Sequence, residues 1–409
     1  MNDKIVLFEK EEQCSGCGAC VDICSQKAIT MRENEYGYWF PTIDESKCVH
    51  CEMCKKVCGF QNEKEERYPL NVKAATAKNE DTLMKSASGG VFAELAKKVL
   101  REGGVVFGAA MSFTDGVPTV HHVKVDSEKD LYRLQGSKYV QSDCQGIYAD
   151  IKKELSANKV VLFSGTPCQV ASLKRFVGNK YSDGNLILVD IICHGVPSLR
   201  MFRDYISTEK EKTKGEIVTF KFRDKSMGWG NKGSIHYIDK RGKRKVKKIS
   251  VQLSSYYFHF ENGDILRKNC YSCIFSQEKR VSDITIGDYW GFGVEHPNQL
   301  KSNGGRFEEE NGISCILVNT EKGRTFLSEC ANAFELCEST LEQVAKVNLQ
   351  LKHPSRKNSN RDKVMEIYKK SGYKAIDDAY YKKLGKKKYI YILWNALPQK
   401  TRSKIRRLV

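Results

Sequence analysis

Twelve of the sixteen cysteines in this chain have a spacing or a setting that could do chemistry. Eight form two runs, Cys14, Cys17, Cys20, Cys24 and Cys48, Cys51, Cys54, Cys58, each reading C-x2-C-x2-C-x3-C. That spacing lets three thiolates converge on one 4Fe-4S cluster while the fourth ligates the neighbouring cluster. Cluster 1 is therefore expected on Cys14, Cys17, Cys20 and Cys58, and cluster 2 on Cys48, Cys51, Cys54 and Cys24. Gly16 and Gly18 suit the tight loop because glycine tolerates positive φ. Zinc is the alternative, but its structural sites use paired C-x2-C units rather than runs of four. The residue after the fourth cysteine is Ser25 or Gly59, where this motif usually carries proline. The exchange is expected to loosen the backbone slightly without removing a ligand.

The other four are Cys168, Cys193, Cys270 and Cys273. The strand pattern Lys159 to Ser164 runs into Gly165-Thr166-Pro167-Cys168-Gln169 and a helix over Val170 to Val177. A second strand, Leu186 to Ile192, delivers Cys193-His194-Gly195 before a helix from Leu199. Both cysteines then sit at strand C-termini, the edge where open α/β sheets bind ligands, and Cys168 faces a helix N-terminus that favours its thiolate. Cys270-x2-Cys273 alone reads as half a zinc site, a redox dithiol or half a cluster site. Taken together, the four make a third 4Fe-4S cluster the economical expectation. Cys144, Cys315, Cys330 and Cys337 lack such context and read as small core residues. His194 is a candidate proton donor, weighed against a hydrogen-bonded structural histidine.

The elements that would position these groups follow in order. Residues 1–62 form an internal duplication with offset 34 (48 minus 14), enclosing a hairpin from Ala28 to Pro41. Residues 63–71 are charged and read as a linker. From Val72 short strands alternate with amphipathic helices, the pattern of an α/β domain over 72–355. Ser88-Gly89-Gly90 opens a helix, with Ser88 as expected N-cap, and bare N–H groups there could hold a pyrophosphate; a plain helix start is the other reading. Residues 216–260 read as β-structure with a basic turn from Lys240 to Lys248. Asp283 to Trp290 is a strand ending in an acid and an aromatic. Arg324 to Glu338 and Asp362 to Ser371 read as helices, and 356–409 as a helical, basic and aromatic tail.

At 409 residues the chain is too long for a cluster carrier alone. No apolar h-region opens it, so the thiols point to a reducing compartment and a cytoplasmic location. Of the net charge of +18, more than half lies between Ala379 and Val409, which hold ten Lys or Arg and no Asp or Glu. The charge is thus a property of the tail, and no nucleic-acid partner is expected. With Tyr389, Ile390, Tyr391, Ile392, Leu393, Trp394 and Leu397, the tail reads either as an interfacial segment on an anionic membrane or as a helix packed on its own domain.

Taken in order, the double cysteine run, Ser88-Gly89-Gly90-Val91-Phe92, Gly136-Ser137-Lys138-Tyr139-Val140, Gly165-Thr166-Pro167-Cys168-Gln169, Cys193-His194-Gly195, Cys270-x2-Cys273 and Gly287-Asp288-Tyr289-Trp290-Gly291 resemble the family of β subunits of coenzyme F(420) hydrogenases and dehydrogenases. The match runs over most of residues 1–355. The resemblance implies an α+β ferredoxin-like N-terminal domain and an α/β flavin and iron-sulfur domain. It implies FAD beside 4Fe-4S clusters, exchanging a hydride with a deazaflavin coenzyme and single electrons with the clusters. Ser88, Gly89, Gly90, Ser137, Lys138, Tyr139, Asp288 and Trp290 are then expected flavin-site residues. Relatives also reduce other substrates with ferredoxin, and many bacterial members accompany surface-polysaccharide biosynthesis. A redox partner protein or hydride-carrying coenzyme is implied, and a non-catalytic electron-transfer subunit is the alternative.

Overall fold

The computed structural model describes residues 4–62 and 65–397. Each cysteine run contains a four-residue helix, Ala19–Asp22 and Met53–Lys56. Between them β1 (Ile29–Glu33) and β2 (Trp39–Ile43) form the expected hairpin, with Ile29 opposite Ile43. Few apolar side chains of this unit are buried, among them Ile5, Ala28, Ile29 and Val57. So small a core needs clusters or a docking partner to hold it.

The body is mixed α/β. Its main sheet uses β3 (Asn71–Ala77), β4 (Val105–Thr114), β5 (Val117–Val125), β6 (Val161–Gly165) and β7 (Leu186–Ile191). A second sheet uses β8 (Glu216–Lys221), β9 (Lys232–Ile238) and β10 (Arg244–Ser250). The main sheet is completed by β11 (Ile284–Asp288), β12 (Ser314–Val318) and β13 (Phe334–Ser339). Eight strands run in the order β13-β3-β12-β11-β7-β6-β4-β5, and β11, β7, β6 and β4 are mutually parallel. Helices Val91–Arg101 and Glu321–Glu329 cover one face through Leu162, Ile187 and Val189. Helices Ile147–Ser156 and Pro167–Val177 cover the other through Val161, Phe163, Leu186 and Leu188. Alternate residues of β6 and β7 therefore feed two cores, which is why both strands read as continuous apolar runs.

The three-stranded antiparallel sheet β10-β9-β8 packs with helices Leu199–Thr213, Ser255–Glu261 and Arg361–Leu384 around Phe202, Tyr205, Phe220, Tyr256 and Tyr257. Two elements differ from expectation. Residues 255–261 are helical rather than β: Ser254 caps the helix by accepting the Tyr257 N–H. The stretch 324–338 is half helix and half strand, because β13 pairs with β3 at the sheet edge. Residues 63 and 64 of the expected linker lie outside the described residues, and the rest is pinned. Arg67 and Arg280 exchange backbone hydrogen bonds (3.0 and 2.8 Å), and Lys174 pairs with Glu65 at 2.7 Å. The region after 355 is integrated too, since Val364, Met365, Tyr368, Tyr373 and Ile376 lie in the aromatic core. Residues 398–409 lie outside the described residues. Among the described residues no helix is long and apolar enough to cross a membrane.

Candidate iron-sulfur and cofactor site

Cys14, Cys17, Cys20 and Cys58 line one cavity of about 210 Å³ in the N-terminal unit, joined by Cys54. Burial pushes the Cys14 thiol up to about 11, with Arg267 opposing and neighbouring Cys17 and Cys58 adding. Cys20 rises through burial and then through Cys17, Cys14 and Cys58. The four thiols expected on cluster 1 are thus brought together across the duplication. Cys24, Cys48 and Cys54 gather around Ile5 and Ile29 at the other end, where Cys51 is exposed. Glu45, Cys48 and His50 also bring ligand atoms within 4.8 Å, but with one thiol that set is not a structural zinc site.

The N-terminal unit is fastened to the body beside cluster 1. Arg267, 1 % exposed, donates to the Cys14 and Trp39 carbonyls (3.0 and 2.9 Å) and lies over the Phe40 ring. The Asp22 carboxylate accepts the Gly146 and Tyr148 N–H groups at the start of helix Ile147–Ser156. The Tyr148 hydroxyl donates to the Cys17 carbonyl at 3.1 Å. The Cys17 thiol contacts the Ser172 hydroxyl (3.2 Å), which donates to the Cys168 carbonyl (2.9 Å). A Cβ on Gly59 would stand 2.5 Å from the Ser172 nitrogen and 2.6 Å from the Ala171 carbonyl carbon. Gly59 therefore allows helix Pro167–Val177 to dock rather than loosening the loop, a correction to the reading of its missing proline.

The four later cysteines converge at the carboxyl edge of the parallel strands. The helix after β6 starts at Pro167, with Gln169 returning its side-chain oxygen to the Thr166 N–H (3.0 Å), so Cys168 lies in its first turn. Gly195, at φ 118°, lets the loop after β7 close on Cys270, whose Cβ would be 3.1 Å from an added Cβ. Arg280 fixes the Cys273 loop: it donates to the Phe275 carbonyl (3.1 Å), Thr285 (3.1 Å) and Asp190 (2.9 Å). Burial pushes the Cys168 thiol up, with Cys273, Cys193 and Cys17 adding. Cys193 rises through burial and then Cys270 and Cys273, and Cys270 reaches about 12. The helix N-terminus expected to favour the Cys168 thiolate is outweighed by burial. Four thiols gathered in this way suit a cation that removes the protons on binding. Cys144 is buried apart from them, accepting from Gln169 Nε2 at 3.1 Å and touching His122 Nδ1 at 3.2 Å.

These four cysteines form one wall of a cavity of about 590 Å³, which Ser15 and Cys17 also reach. The same cavity is lined by Asp288, which accepts from Arg223 Nη1 (2.9 Å) and Nη2 (3.2 Å) and from the Trp229 indole (2.9 Å). Trp229 stacks on Trp290 at 4.3 Å, and Arg223 lies over the Trp290 ring. Burial works against the Arg223 charge, but Tyr139 and Asp288 hold it above its ordinary value. Arg223 also donates to the Tyr139 hydroxyl at 3.2 Å, and Tyr139 stacks on Phe260. Ser88, Gly90, Ser137, Lys138, Tyr139, Asp288 and Trp290 all line this cavity.

Several expected roles change. Gly89 is not in the lining; a Cβ there would meet the Ala75 carbonyl at 2.2 Å, so it serves packing. The helix N-cap is Gly90 rather than Ser88, whose hydroxyl donates to the Ile313 carbonyl at 3.0 Å. Burial lowers Lys138 to about 7, and its ammonium donates to the carbonyls of Arg133, Leu134 and Gln135. His194 lines the cavity, but Nε2 donates to the Phe260 carbonyl (3.2 Å) and Nδ1 faces Gln350 Nε2 (3.2 Å). Both ring nitrogens are engaged by the protein, the arrangement of a hydrogen-bonded structural histidine. Arg223, Trp229, Arg280 and Ser172 were missed. Only Trp229, between two glycines, carried a signal that could have marked it.

Two family models match separate stretches of the chain. Residues 158–344 match the family described as the C terminus of coenzyme F(420) hydrogenase/dehydrogenase beta subunits, and residues 13–62 match the 4Fe-4S dicluster domain. A subunit of the F(420)H(2) dehydrogenase of Methanosarcina mazei is 23% identical over 249 residues, 58% of this chain and 70% of that protein. A chain of the F(420)-reducing NiFe hydrogenase complex from Methanosarcina barkeri, solved as a xenon derivative, aligns over 73% of this chain and 92% of its own at 16% identity, with a TM-score of 0.45.

Proposed function

We propose that this chain, which belongs to the family of coenzyme F(420) hydrogenase/dehydrogenase beta subunits and carries an N-terminal 4Fe-4S dicluster domain, is an iron-sulfur flavoprotein oxidoreductase. One observation carries the reading: a single cavity is lined by Cys17 of the dicluster unit, by Cys168, Cys193, Cys270 and Cys273, and by the Tyr139, Asp288 and Trp290 wall. The four cysteines would hold a third 4Fe-4S cluster. The aromatic and ion-paired wall, with the N-terminus of helix Val91–Arg101, fits the ring and the phosphates of FAD. A bound flavin accepts a hydride as an electron pair and releases electrons singly, the conversion that the neighbouring clusters require.

The chain's own groups set the order of transfer. Cluster 1, reached through Cys17 and Ser172, adjoins the third site, whereas cluster 2 lies outward with Cys51 exposed to a partner. Arg223 holds Asp288 and Tyr139 in place. The hydride donor or acceptor in this reading is a deazaflavin of the F(420) type. Anaerobically purified protein should carry FAD and about twelve irons per chain, four for each cluster. Its flavin should be reduced faster by reduced deazaflavin than by NADPH. Faster reduction by ferredoxin alone would instead indicate a ferredoxin-dependent reductase of another substrate. A second reading, an electron-transfer subunit without flavin, draws on the relative being one part of a dehydrogenase; iron without flavin in the purified protein would support it.

A further inference from the structure

The terminal helix Lys387–Ala396 turns its apolar side outward. Its inner side rests on the turn Val251–Leu253 after β10, with Asn395 Nδ2 donating to Ser250 Oγ at 3.2 Å and Tyr391 and Trp394 half-buried. On the outer side Tyr389, Ile390 and Leu393 are 60%, 65% and 70% exposed. At 100° per residue these three fall within one quarter-turn or so of the helix, and Leu397 continues the row. Lys382, Lys383 and Lys386 are exposed just before it, and Lys387 is exposed at its first position. The strand that leads to its seat, β10, comes from the basic hairpin Lys240 to Lys248, whose side chains are mostly exposed.

We propose that this surface docks on an anionic lipid bilayer, with the helix lying in the interfacial plane. Apolar side chains that project from a helix flanked by lysines are the composition of an interfacial anchor. At ten residues the helix is about 15 Å long, enough to lie at the headgroup boundary and too short to span. The charge argues against other occupants. From Ala379 to Val409 there is no acidic residue, so two copies paired through this face would bring lysines together with nothing to neutralise them. A protein interface core is depleted in lysine, whereas a membrane surface attracts it. Nucleic acid would leave the Ile390 and Leu393 side chains without a partner.

The test uses the anaerobically purified full chain and sucrose-loaded vesicles. Co-sedimentation should be at least about tenfold stronger with vesicles containing about one-third phosphatidylglycerol than with phosphatidylcholine alone, and should weaken in about 0.5 M salt. Ile390→Asp combined with Leu393→Asp should abolish it while iron content and melting temperature stay unchanged, since both positions are exposed. Lys386→Glu combined with Lys387→Glu should do the same through charge alone. Equal binding to both vesicle types, no binding to either, or binding that survives the apolar double variant would overturn the proposal. So would light scattering that shows a dimer dissolved by that variant.

Discussion

The two cysteine regions bring their thiols together in opposite ways. The N-terminal runs place eight thiols within 45 residues (14 to 58), in a unit with little core of its own. The second set spans 106 residues (168 to 273) and meets only because β6 and β7 end at one sheet edge, against which the loop carrying Cys270 and Cys273 packs. The first is local, with Cys51 exposed; the second is held by Arg280 and Gly195 and lines the larger cavity. A donor set built from strand ends inherits the rigidity of the sheet, which suits a site where geometry must be kept.

The sharpest break of this comparison is ligand removal. Cys270→Ser should lose about four of about twelve irons, leave the dicluster EPR signals intact and stop flavin reduction through the clusters. Cys17→Ser should disturb the dicluster while the third set keeps its iron. If either variant emptied both regions, the two would be one cooperative unit. Next in size, Asp288→Asn leaves the Arg223 guanidinium, 2% exposed, without its carboxylate. It should cost about 3 kcal/mol in chemical denaturation and weaken FAD retention, read from flavin released on gel filtration.

Gly59→Ala tests the seam between the regions. Overpacking against the Ala171 and Ser172 backbone should cost about 1–3 kcal/mol and slow electron exchange between the dicluster and the third site in rapid-freeze EPR, with iron content unchanged. The smallest effect concerns acid. Burial lowers His122 to about 4, so it is neutral in the fold while the unfolded chain takes up a proton near pH 6.5. Stability should be full above that value and fall as pH drops from about 6.5 toward 4. His122→Asn should flatten that slope in urea melts recorded across the range.

What the sequence made legible follows the same divide. Spacing revealed the dicluster runs because their ligands are neighbours in the chain. Cys168 and Cys193 were visible because each follows a run of apolar residues that only a buried strand explains. Arg223 gave no sign: its partner Asp288 lies 65 residues away and the pair is made by the sheets. Aromatic content misdirected the reading of Ser255–Glu261, since its Tyr and Phe residues favour strands on propensity while here they fill a core as a helix. Phe334–Ser339 follows a helix directly, and its alternation was absorbed into that helix. Its place at the sheet edge depends on β3, more than 250 residues earlier.

The Arg267 clamp carries a consequence for biogenesis. It grips the Cys14 carbonyl across 253 positions of chain, so this contact forms only after the ribosome has made well over half of the protein. Synthesis from Cys58 to Arg267, 209 residues, takes roughly 10–40 s at about 5–20 residues per second. For that interval the Cys14 loop is without its clamp.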